Sequence, residues 1–231
     1  MKFEEKMEDK GLKLPNYQTW VFDCDGVLLD SNRIKTDAFY QVAKPYGDDK
    51  AQALVEHHVR NGGISRYVKF HHFLADIVGR IRVNDHELDS LLESYALRVR
   101  EGLMQCEVAG RLDHLRALTS ASTWMIVSGG DQEEIRWVFR ERGLADLFNG
   151  GIYGSPDTKD EILSRSLRDR IVVFPAVFLG DSQYDIEAAT RAGLDFIFLS
   201  GWSESNFDFA HATFRFESIS AIAGSASLES L

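Results

Sequence analysis

Trp20-Val21-Phe22-Asp23-Cys24-Asp25-Gly26-Val27-Leu28-Leu29-Asp30-Ser31-Asn32 is the stretch on which the fold turns. Trp20, Val21 and Phe22 are aromatic or β-branched and predict a short buried strand. Residues two apart on an extended chain face the same side, so Asp23 and Asp25 converge just beyond the strand's end. Two carboxylates held that close repel each other, which argues against a purely structural role. A divalent cation resolves the repulsion. The site then offers a carboxylate nucleophile, a second carboxylate for proton transfer, and a metal compatible with phosphate. Cys24 alternates to the other side and is read as a core residue.

Three further stretches have the same grammar of apolar run, small residues and polar helix start. Thr123-Trp124-Met125-Ile126-Val127 ends in Ser128-Gly129-Gly130, followed by an acidic helix start at Asp131. A hydroxyl and unhindered backbone N–H groups at a helix start make a phosphate cradle, although an ordinary strand–turn–helix connection would read alike. Ile135, Val138 and Phe139 give that helix an apolar face, and Gly143 is placed to stop it. Thr158 and Glu161 fit a capping box that makes Lys159 the first residue of a helix. From there its ammonium can reach back towards Asp23, the alternative being a solvated lysine. Ala176-Val177-Phe178-Leu179 ends in Gly180-Asp181-Ser182-Gln183-Tyr184-Asp185, and Gly193 closes the helix that follows. Asp181 and Asp185 lie one helical turn apart and can face one cavity, though either could also cap the helix.

Asp-x-Asp-Gly, the strand-terminal Ser128, Lys159 at a helix start and Gly180-Asp181-Ser-x-x-Asp185 occur in this order. Together they resemble the motifs of the haloacid dehalogenase-like phosphatases, in the branch of the phosphoglycolate phosphatases and β-phosphoglucomutases. The resemblance implies hydrolysis of a small phosphorylated metabolite through an aspartyl-phosphate. It makes Asp23 the nucleophile and Asp25 the acid and base. Ser128, Gly129 and Lys159 would bind phosphate. Mg2+ would be held by Asp23, Asp181 and the Asp25 backbone carbonyl, with Asp185 orienting a metal-bound water or Lys159 from behind.

The predicted fold class is α/β, a doubly wound, Rossmann-like parallel sheet carrying an inserted α-helical cap. Apolar runs at 20–22, 123–127, 176–179 and 195–199 alternate with helical segments, and shorter runs at 152–153 and 213–216 can add strands. Residues 33–106 recur at helix spacing and resemble the family's helical cap, leaving 1–32 and 107–231 as the core. Asn61-Gly62-Gly63-Ile64-Ser65-Arg66-Tyr67 resembles the specificity loop of capped relatives. Ser65 is a candidate cap for the next helix. Arg66 and Lys69 then lie a turn apart on an exposed polar face, open to an anionic part of the substrate or simply solvated. His57-His58 and His71-His72 suggest zinc at first sight, but adjacent helix residues diverge by about 100° and are read as ordinary surface or core histidines.

A net charge of −10 argues against nucleic-acid or membrane-surface partners. Two cysteines, no apolar leader and no long apolar run lead to an expected cytoplasmic location, with the first dozen residues and the tail after Gly224 expected to be disordered. Two rivals share the pocket: a phosphosugar mutase and a catalytically silent phosphometabolite-binding protein. Mutase relatives place a histidine near the position of Lys35 and Glu-Asp where this chain has Gly180-Asp181, so the resemblance favours a phosphatase. Dehalogenases of the superfamily generally lack the aspartate present here as Asp25.

Overall fold

The computed structural model describes residues 16–225. The expectations of disordered ends fall on 1–15 and 226–231, outside the described residues, apart from Ser225, which closes the last helix. A six-stranded sheet forms the centre, in the order β3-β2-β1-β4-β5-β6. The strands are β1 (Thr19–Phe22), β2 (Thr123–Asp131), β3 (Ile152–Ser155), β4 (Ala176–Gly180), β5 (Asp195–Leu199) and β6 (Phe214–Phe216). Every pairing is parallel. Parallel strands are covered on both faces and therefore read as continuous apolar runs, as β1 and β4 do with every residue buried. Alternate residues serve opposite layers. Trp20, Phe22, Trp124 and Leu179 pack on one face, while Val21, Met125 and Phe178 pack on the other.

From β1 the chain winds outward to β2 and β3, then returns across β1 to place β4 on its other side. The strand order reverses beside β1, and the crevice at such a point, beyond the carboxyl ends of the strands, is where these sheets bind ligands. Asp23, Ser128 and Asp181 all stand at that edge.

Between β1 and β2 lie α1 (Asn32–Ala43), α2 (Asp48–Arg60), α3 (Arg66–His72) and α4 (Asp85–Gln105), with a π turn at Phe73–Ile77 extending α3. The helical reading of 33–106 therefore holds. These helices share a core: the Phe39 ring lies 5.1 Å from Phe70 and 4.4 Å from Tyr95, and Phe73, Leu74 and Leu91 are buried beside them. Ser65 caps α3, accepting from the Val68 N–H at 3.4 Å. The remaining helices are α5 (Leu112–Leu118), α6 (Gln132–Glu141), α7 (Lys159–Arg168), α8 (Gln183–Ala192) and α9 (Ile219–Ser225). Gly143 takes a left-handed φ of 67° just past α6, and Gly193 does the same at 74° to close α8.

One boundary differs from expectation. β2 does not stop at Val127 but runs through Ser128-Gly129-Gly130 to Asp131, with a register shift against β3. Glycines permit it: a Cβ at Gly154 of β3 would stand 2.4 Å from the Gly130 carbonyl oxygen. Among the described residues no helix is long and apolar enough to cross a membrane.

Candidate active site

Asp23 follows the last residue of β1, and its N–H donates to the Leu179 carbonyl at 2.9 Å, which fixes it between β1 and β4. Its carboxylate is almost wholly buried. Lys159 Nζ stands 3.0 Å from Asp23 Oδ1 and also bonds Asp185. That Asp23 oxygen has the ammonium beside it as an ion pair but no aligned hydrogen bond among the described residues, so it retains acceptor capacity. The predicted capping box of Thr158 and Glu161 is present and makes Lys159 the first residue of α7, which aims the side chain inward.

Asp185 does two jobs. Its Oδ1 meets Lys159, and its Oδ2 accepts from the Asp181 N–H at 3.2 Å, the Ser182 N–H at 3.0 Å and the Ser182 hydroxyl at 2.6 Å. It is thus both a helix cap and the brace for Lys159. A Cβ on Gly180 would lie 2.4 Å from the Asp185 Cβ, so the glycine before Asp181 makes room for this brace. Asp181 accepts from Asn32 Nδ2 at 2.7 Å, and the same amide reaches the Trp202 carbonyl at 2.9 Å. Gly26, at φ +73°, leaves space for the Asp181 carboxylate, which a Cβ there would meet at 2.2 Å.

One oxygen from each of Asp23, Asp181 and Asp185 can be chosen so that all lie within 4.8 Å of one another. The expected metal set was Asp23, Asp181 and the backbone carbonyl of Asp25, with Asp185 behind them; the carboxylates that converge are those of Asp23, Asp181 and Asp185. The Asp25 carboxylate is turned away, bonded to Lys35 and to the Ser31 hydroxyl at 2.6 Å. This leaves its backbone carbonyl, the atom expected at the metal, clear of those bonds.

Charge follows this geometry. Burial drives the Asp23 pKa up to about 7 against the opposing pull of Lys159, with Asp185 and Asp25 adding to the rise. Burial and the neighbouring Asp185 and Asp23 charges push Asp181 well above the ordinary carboxylate range. A cation among these groups would reverse both shifts. Asp25 goes the other way: burial raises it, but the Lys35 charge and the hydrogen bonds from Lys35 and Ser31 outweigh burial and hold it low. Lys159 stays firmly protonated because Asp185 and Asp23 overcome its desolvation.

Ser128 is buried, with its hydroxyl accepting from the Gly130 N–H at 3.0 Å, and Ser155 donates to the Gly129 carbonyl at 2.6 Å. The helical insertion reaches this cradle directly. A Cβ on Gly129 would sit 2.0 Å from the Gly63 carbonyl oxygen, so only glycine lets the 61–64 loop lie here.

Arg66 and Lys69 are not on an exposed face. They are 7% and 2% exposed, because α3 lies against α4 and the end of β2 instead of solvent. Both terminal nitrogens of Arg66 bond Glu134 in the first turn of α6, one of them at 3.2 Å, and the guanidinium stacks 5.0 Å from the Tyr95 ring centre. Tyr67 donates to Asp131 at 2.6 Å. Cys24 is buried as read. His57 stacks on His72 at 3.9 Å, and His58 turns inward against Phe39 at 4.5 Å.

Ser31, Asn32 and Lys35 were not singled out as site residues. Their signal was present: they follow the Asp-x-Asp-Gly turn and start α1, so one helical turn returns them to the carboxylates.

The fold and this strand-edge cluster define a class. Residues 17–193 match the model of the haloacid dehalogenase-like hydrolases, and the chain belongs to that family of hydrolytic enzymes. A Drosophila melanogaster protein described as a probable pseudouridine-5'-phosphatase is 26% identical over 212 residues, covering 84% of this chain and 86% of that one. A structure described as a predicted phosphoglycolate phosphatase from Haemophilus somnus superposes with a TM-score of 0.71 at 17% identity, covering 93% of this chain and 99% of that one. CbbY from Rhodobacter sphaeroides, solved with phosphate, superposes with a TM-score of 0.66 at 17% identity, over 87% and 94% of the two chains. At these identities the two structures speak to the fold.

Proposed function

We propose that the protein is a phosphatase that hydrolyses a small phosphorylated metabolite through an aspartyl-phosphate on Asp23. The observation that carries this reading is the convergence of Asp23, Lys159, Asp185 and Asp181 at the ends of β1 and β4, beside Ser128 and Gly129 of β2. Asp23, with an acceptor oxygen left open, attacks phosphorus as the ester P–O bond breaks and the alcohol leaves. Lys159 and Ser128 bind the phosphoryl oxygens as their charge changes. Water then attacks the acyl phosphate, giving up its proton to Asp25 and releasing phosphate. Lys35 and Ser31 hold Asp25 ionised, which readies it for this second step; in the first step it must carry the proton destined for the alcohol oxygen.

The donor set suits a hard divalent cation such as Mg2+: carboxylates only, buried, with an acceptor oxygen to spare. Bound at Asp23 and Asp181, with Asp185 behind, such an ion would neutralise charge that otherwise opposes attack by an anion on a phosphate ester. Residues 33–106 act as a cap, their 61–64 loop lying against the phosphate cradle and keeping bulk water from the intermediate.

Phosphate release from p-nitrophenyl phosphate, with magnesium and with a chelator, tests the reading. Magnesium-dependent release that saturates with substrate is the expected result. Phosphate binding without any turnover across a panel of phosphate monoesters would identify a silent binding protein instead.

A further inference from the structure

Four cationic side chains are buried among the described residues: Lys35, Arg66, Lys69 and Lys159. Three have a carboxylate. Lys35 bonds Asp25, Arg66 bonds Glu134, and Lys159 bonds Asp185 and Asp23. Lys69 has none. Its one hydrogen-bonding partner is His58 Nδ1 at 2.7 Å, and the ammonium otherwise lies 5.6 Å from the centre of the Phe39 ring. Burying an ammonium without an anion is among the costlier things a fold can do, because the lost hydration is not replaced. Burial and the adjacent Lys35 charge accordingly draw its pKa down to about 7.

Lys69 lines the same cavity as Asp23, Asp25 and Gly129. A second polar group opens on that cavity without a partner. Tyr95, from α4, is 2% exposed, and its hydroxyl makes no hydrogen bond among the described residues. His58 faces the cavity from α2. Its own pKa is pushed well below the usual value by burial and then by Lys69, so the ring is neutral and accepts from Lys69, which leaves Nε2–H as a donor. Side chains from three helices thus line one wall of the cavity, and Lys69, alone among the four buried cations, has no carboxylate bonded to it there.

We propose that this wall of the cavity binds an anionic group, a carboxylate or a second phosphate, on the leaving portion of the substrate. Lys69 supplies the counter-charge and Tyr95 a hydrogen bond. The natural substrate is then a phosphate ester whose alcohol portion is itself an anion. This rests on the phosphatase reading of the same site. It also moves the role from Arg66, whose guanidinium is occupied by Glu134, to Lys69.

Three probes separate the possibilities in the magnesium-loaded enzyme: 2-phosphoglycolate with a carboxylate, fructose 1,6-bisphosphate with a second phosphate, and glycerol 2-phosphate with an uncharged alcohol. Wild type should favour one of the first two over the third. In Lys69→Met that preference should fall by about ten- to a hundredfold in kcat/KM, the range of a charge-assisted contact. Which probe loses most tells carboxylate from phosphate. Lys69→Met should also melt higher than wild type without ligand, since it removes an unpaired buried charge. A lower melting point with no change in preference would make Lys69 a structural partner of His58 and overturn the proposal. Lys69→Arg, which keeps the charge, should retain more of the preference than Lys69→Met, and equal loss in both would also count against it. If wild type releases phosphate neither from these probes nor from p-nitrophenyl phosphate, the phosphatase reading fails by itself. Equilibrium binding of the same compounds to wild type and Lys69→Met then decides the anion subsite independently, with equal affinities refuting it.

Discussion

At the strand ends, buried cations and carboxylates answer one another: Lys159 lies between Asp23 and Asp185, and Lys35 holds Asp25. In the helical wall above them the pattern breaks, with Arg66 answered by Glu134 and Lys69 answered by no acid. The first region is finished within the protein, apart from a cluster of acids suited to a cation. The second is completed only when something anionic enters. On the proposed function, the reaction chemistry belongs to the strand ends and the choice of substrate to the helices, so substitutions in the two regions should fail in different ways.

The largest effect belongs to the strand ends. Asp23→Asn keeps the shape and removes the nucleophile, so turnover of every phosphate ester should fall by at least about a thousandfold while the fold persists. Retention of a tenth of the activity, measured as phosphate release, would rule out covalent catalysis through Asp23. Asp181→Ala deletes a charged oxygen from the acidic cluster, and the magnesium concentration for half-maximal activity should rise by roughly tenfold or more. An unchanged magnesium titration would place the ion elsewhere.

Arg66→Ala tests the boundary between the regions. The Arg66 and Glu134 side chains are 7% and 11% exposed, so the variant strands a nearly buried carboxylate. Breaking a buried pair from one side costs about 3–5 kcal/mol, or roughly 6–20 °C in melting temperature for a domain of this size. The double variant Arg66→Met with Glu134→Leu should recover most of that loss, because a matched apolar pair replaces a matched ionic one. If Arg66→Ala instead melts like wild type and loses only one class of substrate, the guanidinium leaves Glu134 to meet the ligand, and the contrast with Lys69 disappears.

The strand ends were also the legible part of the chain. Apolar runs that stop at Asp23, Ser128 and Asp181 declare parallel strands and their carboxyl-terminal edge together, and the Thr158–Glu161 pair announces Lys159 at its helix start. Such signals are local, each contained within a few residues. Arg66 and Lys69 were misplaced because their burial depends on what α3 rests against, and Glu134 lies 68 residues further along the chain. For Asp25 the spacing puts it beside Asp23, while Lys35 and Ser31, on the following helix and its start, decide where its carboxylate points. The run of β2 through Ser128-Gly130 is hidden because the glycine pair reads as a break, while the close approach of β3 depends on Gly154, more than twenty residues further on.

The smallest effect comes from the helical wall's outer side, where His57 stacks on His72 at 3.9 Å. Burial, then the neighbouring His72, Lys69 and Arg60 charges, lowers the His57 pKa from 6.5 to about 4. Its folded value lies below its unfolded one, so the unfolded chain takes up the proton first as pH falls. The stability associated with neutral His57 is therefore whole above about pH 6.5 and drains away between there and about pH 4. His57→Phe keeps a ring against His72 but has no proton to gain, so its melting temperature should fall less steeply over that interval. The side chain is only partly buried, and solvent screening reduces the gap to a few degrees at most. Scanning calorimetry of both proteins at pH 7, 6, 5 and 4.5 measures the gap directly. Parallel curves would show that His57 gives up no stability to acid, and that the outer face of the helices is as self-sufficient as the strand ends.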